Sequence, residues 1–344
     1  MKNSTVQNIG LRNINSFTFV QETSVGKDVV FRDTFDLSMG YYALHIGSEQ
    51  TNVFLKPGFD LNVQVDANAF DETIKYGGRG ADENNYLAQK VLLKEHYAQR
   101  LSYYHLVTLS EKELIGLVDT VSKAYLNLLG KYTNLDQEFV FLESTSLSYD
   151  KELLYSMYKG AKRNLSQTED FKLSDSFPVL FSKVNVTNDK LLVIPNYRLY
   201  VEAYIYSVLS EKLSKTKKPD YILEYVHEAK RLVPSMKIKE ELFYRIGFFS
   251  LEYAGNLDSV YLQIKPFIKN EKYLKAVTAN YEKLCKIKKG NPSPTFSFKD
   301  INGNTVTLEQ LKGKLVYIDI WATWCGPCIK EFPSLKKLEQ LFEG

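Results

Sequence analysis

From about residue 16 to residue 78, apolar and polar side chains alternate with period two. The runs are Phe17-Thr18-Phe19-Val20, Val29-Val30-Phe31-Arg32, Tyr41-Tyr42-Ala43-Leu44-His45-Ile46, Val53-Phe54-Leu55 and Leu61-Asn62-Val63-Gln64-Val65. Alternate residues of an extended chain point to opposite faces, so this pattern predicts several short antiparallel strands in a sandwich-like arrangement. Lys56-Pro57-Gly58 punctuates the runs. Gly77-Gly78-Arg79-Gly80 lacks the Gly-Lys-Ser/Thr ending of a phosphate loop, and it reads as a turn between domains.

Between about residues 82 and 288 the period changes to 3.6 and the pattern predicts helices throughout. Ser110 and Glu113 have the spacing of a capping box, after which Leu114, Leu117, Val121, Ala124, Tyr125 and Leu128 mark one buried face. Similar patterns recur near 84–104, 135–160, 191–214, 219–232, 237–253, 257–268 and 271–287, without a fixed repeat period. Tyr197, Tyr200 and Tyr204 form a helical aromatic stripe, read as core. The basic run Lys212 to Lys218 reads as a solvated loop, and Cys285 as a small buried residue.

A basic linker rich in Gly, Ser and Pro, Lys286 to Pro294, ends the helical pattern. Beyond it, Phe296-Ser297-Phe298 and Val306-Thr307-Leu308 flank Asn302-Gly303, a hairpin signal. Thr307 and Gln310 then predict a capped short helix stopped at Gly313. The almost continuously apolar run Leu315 to Trp321 predicts a strand buried on both faces. Residues 329 to 342 place Ile329, Phe332, Leu335, Leu338, Leu341 and Phe342 at helical spacing.

Composition adds limits rather than detail. With 44% hydrophobic and 25% charged residues, 344 residues can bury sizeable cores in two or three domains. A net charge of +3 from 44 basic and 41 acidic residues gives no electrostatic case for nucleic acid. The longest apolar stretches fall far short of a membrane span, and the polar first 25 residues lack a signal-peptide core.

The chemistry sits at Trp324-Cys325-Gly326-Pro327-Cys328, where a predicted strand passes into a predicted helix. Pro327 suits a first helical turn, so Cys325 falls at the positive end of the helix dipole, which favours thiolate over thiol. Cys325 would attack a substrate disulfide, and Cys328, one turn along, would attack the resulting mixed disulfide. Zinc would need further ligands, yet Cys285 lies forty residues upstream, and His45, His96, His105 and His227 show no ligand spacing. A structural disulfide closing two residues would restrain little chain entropy. Dithiol exchange is the reading that the residues favour, with the Cys325 to Cys328 disulfide as its redox centre and no other cofactor.

Residues 291 to 344, from Asn291-Pro292-Ser293-Pro294-Thr295-Phe296 through the strand and the Cys-Gly-Pro-Cys motif to Glu331-Phe332-Pro333, resemble the first part of a thioredoxin-like domain of the TlpA/ResA type. A looser resemblance to Bacteroidetes thiol-disulfide oxidoreductases extends upstream through Gly40 to Leu44, Phe54 to Gly58 and Tyr76 to Gly80. The resemblance implies that Cys325 is the nucleophile and Cys328 the resolving thiol. It matches Asp319 to the buried acid of thioredoxins, which would be desolvated and exchange protons with Cys328. Trp324 would shield the disulfide, Pro327 would help set its potential, and Gly326 is a further supporting residue of the motif. Glu331 matches an acidic residue that tunes the dithiol in ResA-like proteins, although the helix dipole alone would also favour a glutamate there. Both readings of Glu331 stay open.

Together these readings predict a multidomain α+β protein. Residues 1–80 form an antiparallel β-sandwich-like domain, 81–288 an all-α domain, and 289–344 the N-terminal part of a thioredoxin-like α/β domain. A complete domain of that kind needs further strands and a cis-proline loop, so the expectation is a fragment with a poorly packed C-terminal segment. Expected partners are disulfide-bonded protein substrates and, by resemblance, a membrane thiol transporter as electron donor. The resemblance also implies a periplasmic location, often with a lipid anchor supplied by an upstream segment. The alternative is a non-enzymatic binding or assembly module whose redox motif is inactive.

Overall fold

Period-two alternation becomes antiparallel sheet in the computed structural model, which describes residues 8–14, 19–24, 30–166, 172–213, 219–313 and 315–342. Strands β1 (Asn8–Asn13), β2 (Phe19–Ser24), β3 (Gly40–Ile46) and β4 (Glu49–Leu55) form one sheet in the order β2-β1-β3-β4. Register places Ile9 opposite Ile46, Leu11 opposite Leu44, and Tyr42 opposite Val53, so these side chains share one face. That face meets a two-stranded hairpin, β5 (Asp60–Gln64) and β6 (Lys75–Arg79), linked by the short helix α1 (Phe70–Thr73). Phe70, Ile74 and Tyr76 complete this apolar cluster.

Several strand expectations change. β1 lies outside the region where alternation was read, and Val30 to Arg32 belongs to no strand. Gly77 and Gly78 are inside β6 rather than in a turn. Phe17, Thr18 and Val29 lie outside the described residues.

Near the domain boundary expected at residue 80, strand and helix are joined by a single residue. Gly80, at φ 93°, leads directly from β6 into α2 (Ala81–Ala98), and a Cβ there would lie 2.2 Å from the Phe59 ring, so glycine is required. On α2, Asn84 accepts from the Phe54 N–H at 2.8 Å and donates to the Phe54 carbonyl at 2.9 Å. Asn85 clamps the backbone of Tyr76 in the same way, at 2.9 and 2.8 Å. Two neighbouring side chains thereby take the place of strand partners.

The helices that follow α2 keep the 3.6 period: α3 (Tyr103–Leu106), α4 (Glu111–Gly130), α5 (Gln137–Ser166), α6 (Tyr197–Leu213), α7 (Tyr221–Leu232), α8 (Met236–Arg245), α9 (Leu257–Ile264) and α10 (Glu271–Lys286). Both arms of the Ser110–Glu113 capping box are present. The second face of the four-stranded sheet packs on α5, with the Tyr41 and Phe54 rings 6.3 and 4.9 Å from Phe139. Strand β3 is consequently buried on both sides. Below these rings, Glu143 is 1% exposed and accepts from Tyr41 at 2.6 Å, Tyr86 at 3.1 Å and Lys90 at 2.7 Å. Sheet and helices pack together within one compact unit, Met1–Tyr281.

Tyr197 and Tyr200 are core, Tyr200 stacking on Tyr149 at 4.3 Å. Lys212 lies in the last turn of α6 and pairs with Glu228 at 2.8 Å, while residues 214–218 of the basic run lie outside the described residues. Among the described residues no helix is long and apolar enough to cross a membrane.

Candidate functional site

The second compact unit, Glu282–Gly344, holds the Cys-x-x-Cys motif. Its local structure follows its local sequence. Strands β7 (Ser297–Lys299) and β8 (Thr305–Thr307) pair antiparallel about a turn with Gly303 at φ 84°. Asp300 stabilises that turn by accepting from the N–H groups of Asn302 and Asn304, at 2.9 and 2.8 Å. These backbone donors hold its carboxyl below the usual range. Thr307 and Gln310 bond reciprocally, at 2.8 and 3.3 Å, around the predicted short helix, and Gly313 beyond it has φ 82°.

Helix α11 (Gly326–Phe342) begins immediately after Cys325. Two interactions fix this start. The Cys325 N–H donates to the Ala322 carbonyl at 2.9 Å, and the Ile329 N–H donates to the Cys325 carbonyl at 3.1 Å. Cys325 therefore occupies the N-cap position, and its Sγ accepts from the Cys328 N–H at 3.3 Å. Sulfur thus takes the role that a Ser or Asp oxygen plays in an ordinary cap, satisfying one of the N–H groups that lack intrahelical partners. Cys325 and Cys328 are joined as a disulfide with their Cα atoms 5.3 Å apart, and both are partly exposed. Gly326 and Pro327 form the first helical turn between them.

Other expected site residues are placed differently. Leu315 to Trp321 carries no strand assignment among the described residues, and its apolar side chains stand in solvent, Leu315 at 91% and Ile320 at 88% exposure. Asp319 is exposed, so the desolvation expected of it is missing. The physical reason is the same for both: a buried strand needs neighbours on two edges and two faces, and no strand pairs with this run among the described residues. Trp324 is 87% exposed and does not cover the disulfide. Glu331 is an exposed helix residue, and Cys285 is free and partly buried rather than buried.

One contact was not anticipated. The Trp321 ring meets the Phe332 ring edge-on at 4.9 Å, joining the end of the apolar run to the second turn of α11. Both residues are visible as apolar positions, but only the chain reversal at Ala322 to Cys325 brings them together.

Residues 288–344 match the Redoxin family. The chain is 43% identical over 54 residues to the thioredoxin-like protein YneN of Bacillus subtilis, covering 16% of this chain and 32% of that protein. It is 41% identical over 58 residues to the thiol-disulfide oxidoreductase ResA of the same organism, covering 17% and 32%. ResA of Bacillus anthracis is 42% identical over 53 residues, covering 15% and 31%. The chain therefore spans about a third of the length of the curated relatives it matches. No solved structure matches the chain. The similarity is confined to this short C-terminal region, where the chain resembles thioredoxin-like proteins and the thiol-disulfide oxidoreductase ResA.

Proposed function

We propose that the protein is a thiol-disulfide oxidoreductase that works as a reductase of disulfide-bonded proteins through Cys325 and Cys328. The supporting observation is the N-cap sulfur: a helix start aimed at Cys325 Sγ stabilises negative charge there once the disulfide is reduced. In the scheme, the Cys325 thiolate attacks one sulfur of a substrate disulfide. That bond breaks, a mixed disulfide forms, and the other substrate sulfur leaves as a thiolate that takes a proton. Cys328, deprotonated, then attacks Cys325 Sγ, closing the Cys325 to Cys328 disulfide and releasing the second substrate thiol. Two electrons have passed to the substrate, so an external dithiol must reset the enzyme. By family resemblance that donor is a membrane thiol transporter, and the reaction takes place in the periplasm.

Asp319 and Glu331 stand in solvent, and the scheme routes no proton through them. One observation favours a second reading, a binding or assembly module with an inactive motif: no described residue from 282 to 342 is buried. Reduction of insulin disulfides by the full chain, measured with dithiothreitol as donor, separates the two. The reductase reading expects turnover that Cys325→Ser abolishes and a covalent insulin adduct that Cys328→Ser accumulates. Turnover equal to that of a Cys325→Ser/Cys328→Ser variant leaves the module reading.

A further inference from the structure

A cavity of about 870 Å³ opens in the sheet layer of the first unit, within the size range of ligand sites. Its walls are two unbroken stretches of chain, Val30 to Phe35 and Leu55 to Gln64. Side chains of a strand alternate between faces, so a cavity above one face would be lined by every second residue. Within the second stretch all five residues of β5, Asp60–Gln64, line the cavity, which identifies a slot along the edge of that strand. That edge belongs to β5, which pairs with β6 alone among the described residues and so leaves its other row of N–H and C=O groups open. Opposite it, residues 30–38 are assigned to no strand. The floor is apolar, supplied by Ile9, Leu11, Leu44 and Val53 of the four-stranded sheet.

Two polar features of the slot lack partners. Tyr76 lines it and is 6% exposed, yet its hydroxyl makes no hydrogen bond of acceptable geometry, Thr51 beside it included. A buried hydroxyl without a partner is costly and calls for an explanation. At the rim, Arg32 and Arg79 are exposed and make no ion pair among the described residues. Lys56 is already paired with Asp136, at 2.5 Å. Of the rim carboxylates, Asp33 accepts from Thr23 and the Thr34 N–H, and Asp60 sits opposite Arg79 in the β5–β6 register.

We propose that this slot binds an extended polypeptide segment of another protein as an added strand on β5, with alternate apolar side chains on the sheet floor and a carboxylate held by Arg32 and Arg79. Open main-chain groups supply the affinity of such a strand, and the apolar floor and the two guanidinium groups supply its selectivity. Nothing in this binding mode draws on the dithiol.

The test uses the full chain carrying Cys325→Ser and Cys328→Ser, so that thiol chemistry contributes nothing. The probe is a fluorescent seven-residue peptide of alternating valine and threonine with glutamate at both ends, followed by anisotropy. Saturable binding is expected. Arg79→Gln should weaken it about threefold and Arg32→Glu/Arg79→Glu at least about tenfold, and a lysine-ended peptide should recover binding to the reversed variant. Because both arginines are exposed, these variants leave the core intact. Methylating alternate amide nitrogens along one edge of the peptide should abolish binding, while methylating the other edge should leave it unchanged. Absence of saturable binding overturns the proposal. So does indifference to both methylation patterns, or preferential binding of a decanoate probe, which would assign the slot to side-chain or acyl-chain capture.

Discussion

In the first unit a single carboxylate, Glu143, is 1% exposed and held by two tyrosines and a lysine, whereas in the second unit Asp319 and every other described side chain reach solvent. The two regions are ordered by different physics. Around Glu143, order comes from burial: strands of one sheet, the α2 asparagines and the α5 aromatics converge from positions far apart in sequence. Around Cys325, order comes from interactions three or four residues apart, namely a turn, a helix cap and a capping sulfur. A reactive geometry therefore needs less tertiary support than a tuned one. The helix start proposed to activate Cys325 is local, but the desolvation that would tune an acid such as Asp319 requires neighbours.

The largest effect that would break this comparison is on the buried side. Glu143→Ala should destabilise the first unit by about 3–5 kcal/mol, because Lys90 and two tyrosine hydroxyls lose their shared acceptor in a buried site. Urea unfolding monitored by tyrosine fluorescence checks this. Alkylation of reduced Cys325 in the folded variant should keep its wild-type rate, since the cap proposed to activate it is local. A loss under about 1 kcal/mol would mean that the hub is not what joins sheet to helices.

A smaller effect sharpens the same contrast through pH. Burial pushes the Glu228 carboxyl up, but Lys212 at 2.8 Å and Arg231 at 2.7 Å outweigh it, and its pKa is lowered. A lowered folded pKa means that the unfolded chain binds the proton more tightly. The pair then contributes above the unfolded glutamate value of about 4.3 and is lost as pH falls through the folded value. Glu228→Gln should cost about 1 kcal/mol at pH 7, discounted because both partners are more than half exposed, and should flatten the acid limb of the stability curve below about pH 4.3. An unchanged acid limb would contradict this.

The smallest expected effect is at Asp319. As an exposed carboxylate, Asp319→Asn should change the rates of mixed-disulfide formation and resolution by less than about twofold in this chain. Stopped-flow mixing with a disulfide peptide measures both steps. Selective slowing of resolution by about tenfold would restore the buried proton relay that the strand pattern predicts.

Local signals were legible in the sequence, and long-range ones were not. Ser110 with Glu113, Asn302-Gly303, Thr307 with Gln310, and Pro327 after Cys325 each act over a few residues, and each sits where its chemistry predicts. β1 was missed because Asn8, Arg12 and Asn13 dilute an alternation carried by Ile9 and Leu11 alone. β6 was hidden by Gly77 and Gly78, which read as a turn without the Asn85 clamp on Tyr76. Glu143 left a usable trace, a lone acid on the helical stripe of Phe139, Leu142, Ser146 and Leu147, all buried. The same limit explains Leu315 to Trp321: an apolar run states what a strand would bury, but not whether partners are there to bury it.

The central claim, that a helix start makes Cys325 the attacking thiol, is tested most directly by competitive alkylation. The reduced 344-residue chain is treated with iodoacetamide near pH 7, quenched at intervals, and the label on each thiol is read by peptide mass spectrometry. Cys325 should label at least about tenfold faster than Cys328 and Cys285, whose sulfurs sit along helices rather than at a helix cap. Equal rates at the three cysteines, or fastest labelling at Cys285, would contradict the assignment.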